Sequence, residues 1–441
     1  MLSRSFQLIA APFARANWSR NADWLVILMA IALPWSTTAV SILAGLWLIA
    51  VARLLPALER RGAFHTLSSL AALWPLILVA LALAGLLWAD CPWPERFREV
   101  GPVTKFILVP ILLCYFRESK RGGLVLIGFL ASCSVLMCLS WIVLVAPELK
   151  PSAAGGLRVP VKNYIDQSQE FSLCLVALLP VILMLWRERR YRLAVGYAAL
   201  AIGFFASMAF VSYARTALLY LPVMLAVFAA LYLDRRLSLM LFVAGVAVVA
   251  AVWFSSPELR RRIDLVSVEY HEYELNIPAS TGERLTYWQK SLKFFAESPI
   301  IGHGTGSISA LFERDAAGKT GLAAKVTRNP HNQTLNVAVQ WGVLGIVALY
   351  GMWIAHLLLF RGGGLVAWIG LIVVTQNVLS STLNSHLFDF VEGWLYVLGV
   401  GVAGGMKLAE AETDDSGRLA NPSWFGLRRA TPVSVSPALH Q

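Results

Sequence analysis

The chain has 441 residues, of which 58% are hydrophobic and only 14% are charged, and its mean hydropathy is +0.65. This composition excludes an ordinary soluble globular protein and predicts a polytopic helical membrane protein. The formal net charge of +11 occurs without any basic tract interleaved with aromatic residues, so we expect no nucleic-acid partner.

Apolar runs long enough to cross a bilayer recur along the chain, and no alternating ten-residue pattern indicates a β-barrel. We therefore predict an all-α polytopic membrane protein with about twelve transmembrane helices. The predicted spans are 23–36, 37–55, 66–89, 102–116, 123–146, 168–186, 191–211, 213–233, 238–255, 333–359, 364–383 and 389–407. Pro34 and the short length of the first two spans leave open a single broken hairpin there.

The domain boundaries follow from these spans. Residues 1–255 carry the first group of transmembrane helices, residues 256–332 form one large, partly helical loop, and residues 333–408 carry the last group. The tail over 409–441 contains several Ser and Pro residues and Asp414-Asp415, so we expect it to be cytoplasmic and disordered.

Basic residues cluster in alternate loops, and this distribution predicts the orientation of the helices. The clusters are Arg53, Arg60 and Arg61; Arg117, Lys120 and Arg121; Arg187, Arg189, Arg190 and Arg192; and Arg235 and Arg236. Because loops rich in Lys and Arg remain in the cytoplasm, we expect both termini inside and the large loop outside.

The segment 280–345 is the longest part of the chain that is neither uniformly apolar nor of low sequence complexity. Ser280-Thr281-Gly282-Glu283 fits the S-x-x-E capping box, which predicts the start of a helix. An apolar stripe follows at helical spacing and Pro299 ends it; its members are Leu285, Trp288, Leu292 and Phe295. This stripe is suited either to the membrane surface or to packing on the helix bundle.

His331 is predicted to lie in the first turn of a second helix, with Asn329 as the N-cap and Pro330 at the first helical position. The positive end of a helix disfavours imidazolium, so the ring is expected to be neutral near pH 7 and able to act as a base. The competing interpretation is a histidine that only caps or hydrogen-bonds a loop. The nearby cations Arg284 and Arg328 favour the chemical role.

Arg215 is predicted at the outer end of the eighth span, in the first turn of a helix. A cation there opposes the helix dipole unless an anion lies between them, so it favours an anion site, with contact to lipid headgroups as the alternative. Further cations on the same predicted side, including Arg98 and Lys105, indicate a phosphate or pyrophosphate ligand.

Carboxylates suited to hold a divalent ion beside a pyrophosphate do not occur near His331, and no DxD motif is present there. We therefore expect no metal and no other cofactor, with cationic side chains stabilising a leaving group instead. Gly302-His303-Gly304-Thr305-Gly306 resembles a phosphate-binding loop only superficially, because it follows a predicted helix and not a strand.

These residues together resemble the O-antigen ligase/polymerase superfamily of bacterial inner-membrane proteins. The resemblance lies in Arg215 in a short outer loop, GERLTYWQ and SPIIGHGTGS in the large loop, and PHNQTLNVAVQWGVLG leading into the next span. It implies a GT-C-like fold, both termini in the cytoplasm and an active site that faces the periplasm. Members act on glycans carried by undecaprenyl pyrophosphate.

The resemblance also implies roles for individual residues. His331 matches the histidine thought to deprotonate the acceptor hydroxyl, and Arg215 and Arg284 match the arginines that bind the donor pyrophosphate. Further candidates for substrate binding around the same cavity are Lys105, Arg98, Gln167, Asn332 and Arg328. Asp389 and Glu392 receive no role beyond structural pairing.

The function implied is that of an O-antigen ligase in lipopolysaccharide biosynthesis. Such an enzyme transfers O-antigen polysaccharide from undecaprenyl pyrophosphate to lipid A-core oligosaccharide, without a metal and with inversion. The large loop late in the chain favours a ligase over a polymerase that joins undecaprenyl-linked repeat units. A transporter of lipid-linked glycans is a third hypothesis, although it predicts charges near the bilayer midplane, whereas ionisable residues here crowd one interface.

Overall fold

The computed structural model describes residues 15–151, 159–211, 214, 216–255 and 257–415, and within these residues the regular structure is entirely helical. The α-helices are α1 (Arg15–Ala32), α2 (Thr37–Arg60), α3 (Leu70–Ala84), α4 (Trp93–Thr104), α5 (Leu108–Glu118), α6 (Gly122–Val145), α7 (Tyr164–Arg187), α8 (Tyr191–Phe210), α9 (Ala217–Tyr232), α10 (Arg235–Ser255), α11 (Pro257–Glu274), α12 (Ser280–Glu297), α13 (Ser307–Ala316), α14 (Gln333–Leu359), α15 (Leu365–Ser380) and α16 (Phe390–Asp415).

Seven helical stretches in the described residues are long and apolar enough to cross a membrane. They are α2, α4 continued into α5, α6, α7, α8, α10 and α14, and the shorter apolar helices are α3, α9 and α15. The polytopic all-α class is therefore confirmed. Every predicted span coincides with a helix over most of its length, while the number that crosses the bilayer, the domain boundaries and the orientation stay predictions.

The last helix ends later than the sequence indicated. Helix α16 continues to Asp415, into the segment 409–441 that we expected to be a tail, and residues 416–441 lie outside the described part of the chain. In the first pair of predicted spans, α1 and α2 are separate helices joined by a turn, and the hydroxyl of Ser36 accepts from the backbone N–H of Ala39 at 3.2 Å to cap α2.

Small residues allow the central helices of the bundle to approach closely. Helix α16 packs most extensively on α5, and a Cβ added at Gly401 or Gly405 would lie 2.5 Å from Leu112 Cβ or 2.7 Å from Phe116 Cβ. Interhelical contact through glycine is typical of membrane helices, because apolar side chains gain little by leaving lipid. This packing holds α16 against α5, and the turn before α16 is buried at His386 and Leu387.

A break in α14 joins the large loop to the bundle. At Gly342 the backbone leaves the helical conformation, with φ 63° and ψ −151°. The amides of His303 and Gly304 donate to the carbonyls of Val339 and Gln340, at 2.9 and 2.8 Å. In the opposite direction the amides of Val343 and Leu344 donate to the carbonyls of Pro299 and Ile300, at 2.8 and 3.4 Å. Residues 299–304 therefore replace the hydrogen bonds that the broken helix loses.

The glycine-rich sequence that follows Pro299 serves this junction. Gly302, Gly304 and Gly306 all have positive φ, at 63°, 85° and 89°. The amide of Thr305 donates to Gly85 O at 3.0 Å and that of Gly306 donates to Gln340 Oε1 at 2.8 Å. Because these amides already have protein partners, the loop lacks the free N–H groups that a phosphate cradle needs.

Replacing Gly342 tests the junction. The Gly342→Ala substitution places a Cβ in a backbone region reserved for glycine, 2.7 Å from the amide nitrogen of Ile301, where strain costs about 1–3 kcal/mol. We expect a lower midpoint of thermal denaturation in detergent, measured by retention of the monodisperse peak on size exclusion. Gly45→Ala in α2, where nothing lies within 4 Å of the added Cβ, is the control. Equal midpoints for both variants would contradict this role of Gly342.

Candidate functional site

Helix α12 begins where the sequence predicted but is capped differently. Its N-cap is Ala279, which makes no side-chain cap bond, so the capping-box prediction for Ser280 is wrong. Instead the amide and the hydroxyl of Thr281 both donate to the Glu269 carboxylate of α11, and Glu283 pairs with Lys325 at 2.8 Å. Tertiary contacts have replaced the local cap.

The face of α12 that packs inward is not the predicted apolar stripe. The buried residues are Gly282, Thr286, Tyr287, Lys290, Ser291 and Phe294. Tyr287 and Phe294 pack edge-on against Phe312 of α13, with ring centroids 5.6 and 5.2 Å apart. Of the stripe, Leu292 is 56% exposed, so its apolar surface stays available outside this core.

A buried carboxylate holds α12 and α13 together. The side chain of Asp315 is only 6% exposed and forms ion pairs with Lys290 at 3.1 Å, Lys293 at 2.8 Å and Lys319 at 2.9 Å. Hydrogen bonds from these lysines, first that of Lys293, hold the pKa of Asp315 well below its usual range although burial opposes this. The network fixes the helix that carries Arg284 and Tyr287.

His331 lies outside a helix, in contrast to the prediction. Helix α14 begins at Gln333, and its N-cap is Asn332, whose Oδ1 accepts from Leu335 N at 3.0 Å. Asn329 makes a local turn instead, since its Oδ1 accepts from His331 N at 2.8 Å. His331 itself has φ 54°, a left-handed conformation that costs about 1–2 kcal/mol and is held by this turn.

The ring of His331 is half-buried between two elements. Its Nδ1 lies 2.8 Å from Asn384 Oδ1, and the ring of Tyr287 stacks on it at a centroid distance of 6.2 Å and an interplanar angle of 25°. Within the described residues, its Nε2 makes no hydrogen bond. One ring nitrogen is thus held and the other remains available for a ligand.

The environment keeps His331 neutral for a reason other than the predicted helix dipole. Burial lowers the pKa of His331 below its ordinary value of 6.5, opposed by the hydrogen bond with Asn384. The charge of Arg284 lowers this pKa further, and Asp389 opposes it. The structure thus brings Arg284, another predicted site residue, within electrostatic reach of His331.

A ladder of amide side chains connects the His331 turn to the glycine-rich loop. Asn329 Oδ1 accepts from the hydroxyl of Ser385 at 2.7 Å, and that hydroxyl oxygen accepts from Asn336 Nδ2 at 3.3 Å. Asn336 Oδ1 accepts from Gln340 Nε2 at 2.7 Å, and Gln340 reaches Gly306. These uncharged groups use one another as hydrogen-bond partners, and the resulting network holds the His331 turn and the glycine-rich loop together.

The other predicted binding residues separate into distinct places. Arg215 lies outside the described residues. Asn332 donates to Thr382 O at 3.0 Å in addition to capping α14. Gln167 is 2% exposed and donates to Ser140 Oγ at 2.9 Å, between α7 and α6. Their contacts are structural, and a role in substrate binding stays a prediction.

Three of the predicted cations have carboxylate or carbonyl neighbours. Arg98 and Arg328 are both exposed and line a shallow surface cleft with Glu95 and Glu99. Lys105 is buried, and its Nζ donates to the carbonyls of Phe388 at 3.3 Å and Asp389 at 2.5 Å. Lys105 therefore anchors the turn before α16, whereas Arg98 and Arg328 are accessible from outside.

Sequence reasoning missed a polar cluster at the start of α16. His386 Nδ1 lies 3.1 Å from Asp389 Oδ2 and 3.6 Å from Glu392 Oε1, and Glu392 forms a hydrogen bond with Asp166 of α7. From the sequence, Asp389 and Glu392 receive no role beyond structural pairing, and this cluster is not predicted. The signal for the cluster was the rarity of ionisable residues beside a membrane helix.

His386, Asp389 and Glu392 are the one group in the described residues with donor atoms close enough together for a metal ion, within 4.8 Å. His386 bonds to Asp389, and Lys105 Nζ, which donates to the carbonyl of Asp389, acts electrostatically on both carboxylates. The donor atoms already contact one another and a buried lysine lies beside them, so the set fits an internal polar network better than a metal site.

Comparison with known proteins supports the family resemblance. Residues 200–350 match the family model described as O-antigen ligase, and this segment contains Arg215, Arg284 and His331. An uncharacterized protein of Haemophilus influenzae is 22% identical over 267 residues, which cover 58% of this chain and 64% of that protein. The chain thus aligns with slightly less than two thirds of that relative.

Acid should weaken the contact between α12 and α13 through Asp315. A carboxyl whose folded pKa is depressed contributes stability above its unfolded pKa of about 3.9 and loses it as the pH falls below that value. We expect Asp315→Asn to lower the thermal midpoint at pH 7, with the difference from wild type narrowing below about pH 4. Glu297→Gln, an exposed acid on the same helix, is the control; a difference independent of pH would contradict the ion-pair account.

Proposed function

We propose that this chain, as a member of the O-antigen ligase/polymerase superfamily, is a membrane glycosyltransferase that moves O-antigen polysaccharide from undecaprenyl pyrophosphate to lipid A-core oligosaccharide. The observation that carries the proposal is the half-buried His331, with Nδ1 held by Asn384 and Arg284 close by. A base, with a cation within electrostatic reach of it, is what an acceptor hydroxyl and a pyrophosphate leaving group require.

His331 acts as the general base in this proposal. Its Nε2 removes the proton from a sugar hydroxyl of the acceptor, and the hydroxyl oxygen attacks the anomeric carbon of the donor glycan. The bond between that carbon and the pyrophosphate oxygen breaks, undecaprenyl pyrophosphate leaves, and the configuration inverts. A lowered pKa suits this role, because a histidine that is neutral at pH 7 is ready to accept a proton.

Arg284 and Arg215 bind the pyrophosphate in this proposal. The guanidinium group can hold two phosphate oxygens at once, and the position of Arg284 on α12 is fixed by the packing of that helix against α13. Arg98 and Arg328, at the exposed cleft, are placed to contact glycan or phosphate groups farther from the reacting carbon. The protein uses no metal, and the site faces the periplasm of a bacterial inner membrane.

Purified protein in detergent tests the function directly. We expect transfer from an undecaprenyl-pyrophosphate-linked glycan to lipid A-core oligosaccharide with EDTA present. His331→Ala should reduce the rate by about 10²–10⁴, the usual contribution of a general base. His271→Ala, an exposed histidine of the same loop, is the matched control and should retain the wild-type rate.

Each result of this assay has a clear meaning. If the donor glycan lengthens in the absence of acceptor, the protein is a polymerase and not a ligase. If EDTA abolishes product formation, the metal-independent mechanism is contradicted. An unchanged rate for His331→Ala would remove the base assignment. If folded protein forms neither the ligated nor the lengthened product, the transporter hypothesis is the one that remains.

Donor dependence tests the arginine assignment. Arg284→Ala and Arg215→Ala should raise the KM for donor about tenfold or more while changing the KM for acceptor little, because a lost charge-assisted hydrogen bond costs about 1.5–3 kcal/mol. Arg284→Lys should recover part of the loss. Arg314→Ala, which removes an exposed ion pair between the large loop and Asp90, is the control. Equal effects on both KM values would contradict a pyrophosphate site.

A further inference from the structure

Asn384 connects His331 to a carboxylate. Its Oδ1 lies 2.8 Å from His331 Nδ1, and its Nδ2 donates to Asp389 Oδ2 at 3.0 Å. The same Oδ1 accepts from Asn329 Nδ2 at 3.2 Å. A single amide side chain therefore bridges the turn that carries His331 and the turn before α16.

The carboxylate determines which end of the amide faces the histidine. An ionised carboxylate only accepts hydrogen bonds, so the NH₂ end of Asn384 must point to Asp389 and its oxygen must point to His331. An amide oxygen also only accepts, so His331 must carry its proton on Nδ1. The lone pair is then on Nε2, the nitrogen without a hydrogen bond in the described residues.

Asp389 is itself held in place on several sides. His386 Nδ1 lies 3.1 Å from its Oδ2, its amide donates to Ser385 O at 3.2 Å, and its carbonyl accepts from Lys105 Nζ at 2.5 Å. His386 is 1% exposed, and the Lys105 side chain is buried against Gly393. The orienting carboxylate thus rests on a buried, rigid support.

We propose that Asn384 and Asp389 are positioning residues for the transfer reaction, with Asp389 orienting the Asn384 amide and that amide fixing His331 as the Nδ1–H tautomer, so that Nε2 faces the acceptor hydroxyl. This inference rests on the proposed function. Neither residue touches the reacting atoms; both act through His331, as the groups behind a catalytic or metal-binding histidine commonly do.

The charged groups around His331 predict how substitutions change its titration. Arg284 of α12 and Asp389 and His386 of the turn before α16 act on the ring electrostatically, and Tyr287 stacks on one side of it. Removing the charge of Asp389 lowers the pKa of His331, because Asp389 favours the protonated form. A carboxylate in place of Asn384 raises that pKa, because the charge then lies directly at Nδ1.

Two substitutions test the proposal by their pH profiles. In Asp389→Asn the new amide donates as well as accepts, so Asn384 is no longer oriented and the transfer rate should fall at least tenfold, with the acid limb of kcat/KM shifted to lower pH. In Asn384→Asp the acceptor at Nδ1 is retained and the acid limb should shift to higher pH. Glu297→Gln, at the exposed end of α12, should leave both the rate and the limb unchanged.

Nitrogen NMR of the ring gives a readout that does not depend on activity. In protein labelled with ¹⁵N-histidine, the resonances lost in His331→Ala identify this ring among the seven histidines. We expect a protonated Nδ1 in wild type and Nε2–H or mixed tautomers in Asp389→Asn. Wild-type tautomer and rate in Asp389→Asn, or acid limbs that move in the same direction in both variants, would overturn the proposal. If the wild-type protein transfers no glycan from donor to acceptor, the proposed function fails. The tautomer of His331 in wild type and in Asp389→Asn still tests whether Asp389 and Asn384 orient the ring.

Discussion

The break of α14 at Gly342 is the constraint from which the site follows. A helix interrupted beside a membrane leaves carbonyls and amides without partners, and each such group costs several kcal/mol in an apolar environment. Residues 299–304 satisfy these groups on both sides of the break. Residues 299–304 also connect α12 with α13. Their hydrogen bonds to the broken helix therefore fix the loop that carries Arg284 against α14, the helix that follows His331.

Polar side chains between this junction and His331 are almost all amides or hydroxyls. Asn329, Ser385, Asn336 and Gln340 form hydrogen bonds with one another and reach the amide of Gly306. Uncharged groups of this kind can be buried together without the desolvation penalty of ions. Two clusters of charged residues lie outside this ladder, the lysines around Asp315 in the loop and the carboxylates at the start of α16. The ladder that connects the junction to His331 therefore contains no ion pair.

The sequence predicts the local features of this arrangement and misses those that depend on distant contacts. Helix positions follow from apolar runs, and the resemblance leads to Arg284 and His331, which the structure brings close together. The cap of α14 is misplaced because Asn329 and Asn332 are both good cap residues, and only the turn made by Asn329 decides between them. Asn384 leaves no local signal at all, since its partner His331 lies 53 residues away.

A neutral amide between the carboxylate and the histidine has an electrostatic consequence for the proposed reaction. A carboxylate in direct contact would stabilise imidazolium, and a histidine that is already protonated cannot accept a proton. Arg284 acts in the opposite sense, since its charge lowers the pKa of His331 in the absence of donor. In the proposed complex a pyrophosphate would neutralise Arg284, so we expect the pKa of His331 to be lowered less than in the protein without donor. The base then becomes stronger in the complex that holds the donor, because charge compensation at Arg284 and the proton affinity of His331 are linked.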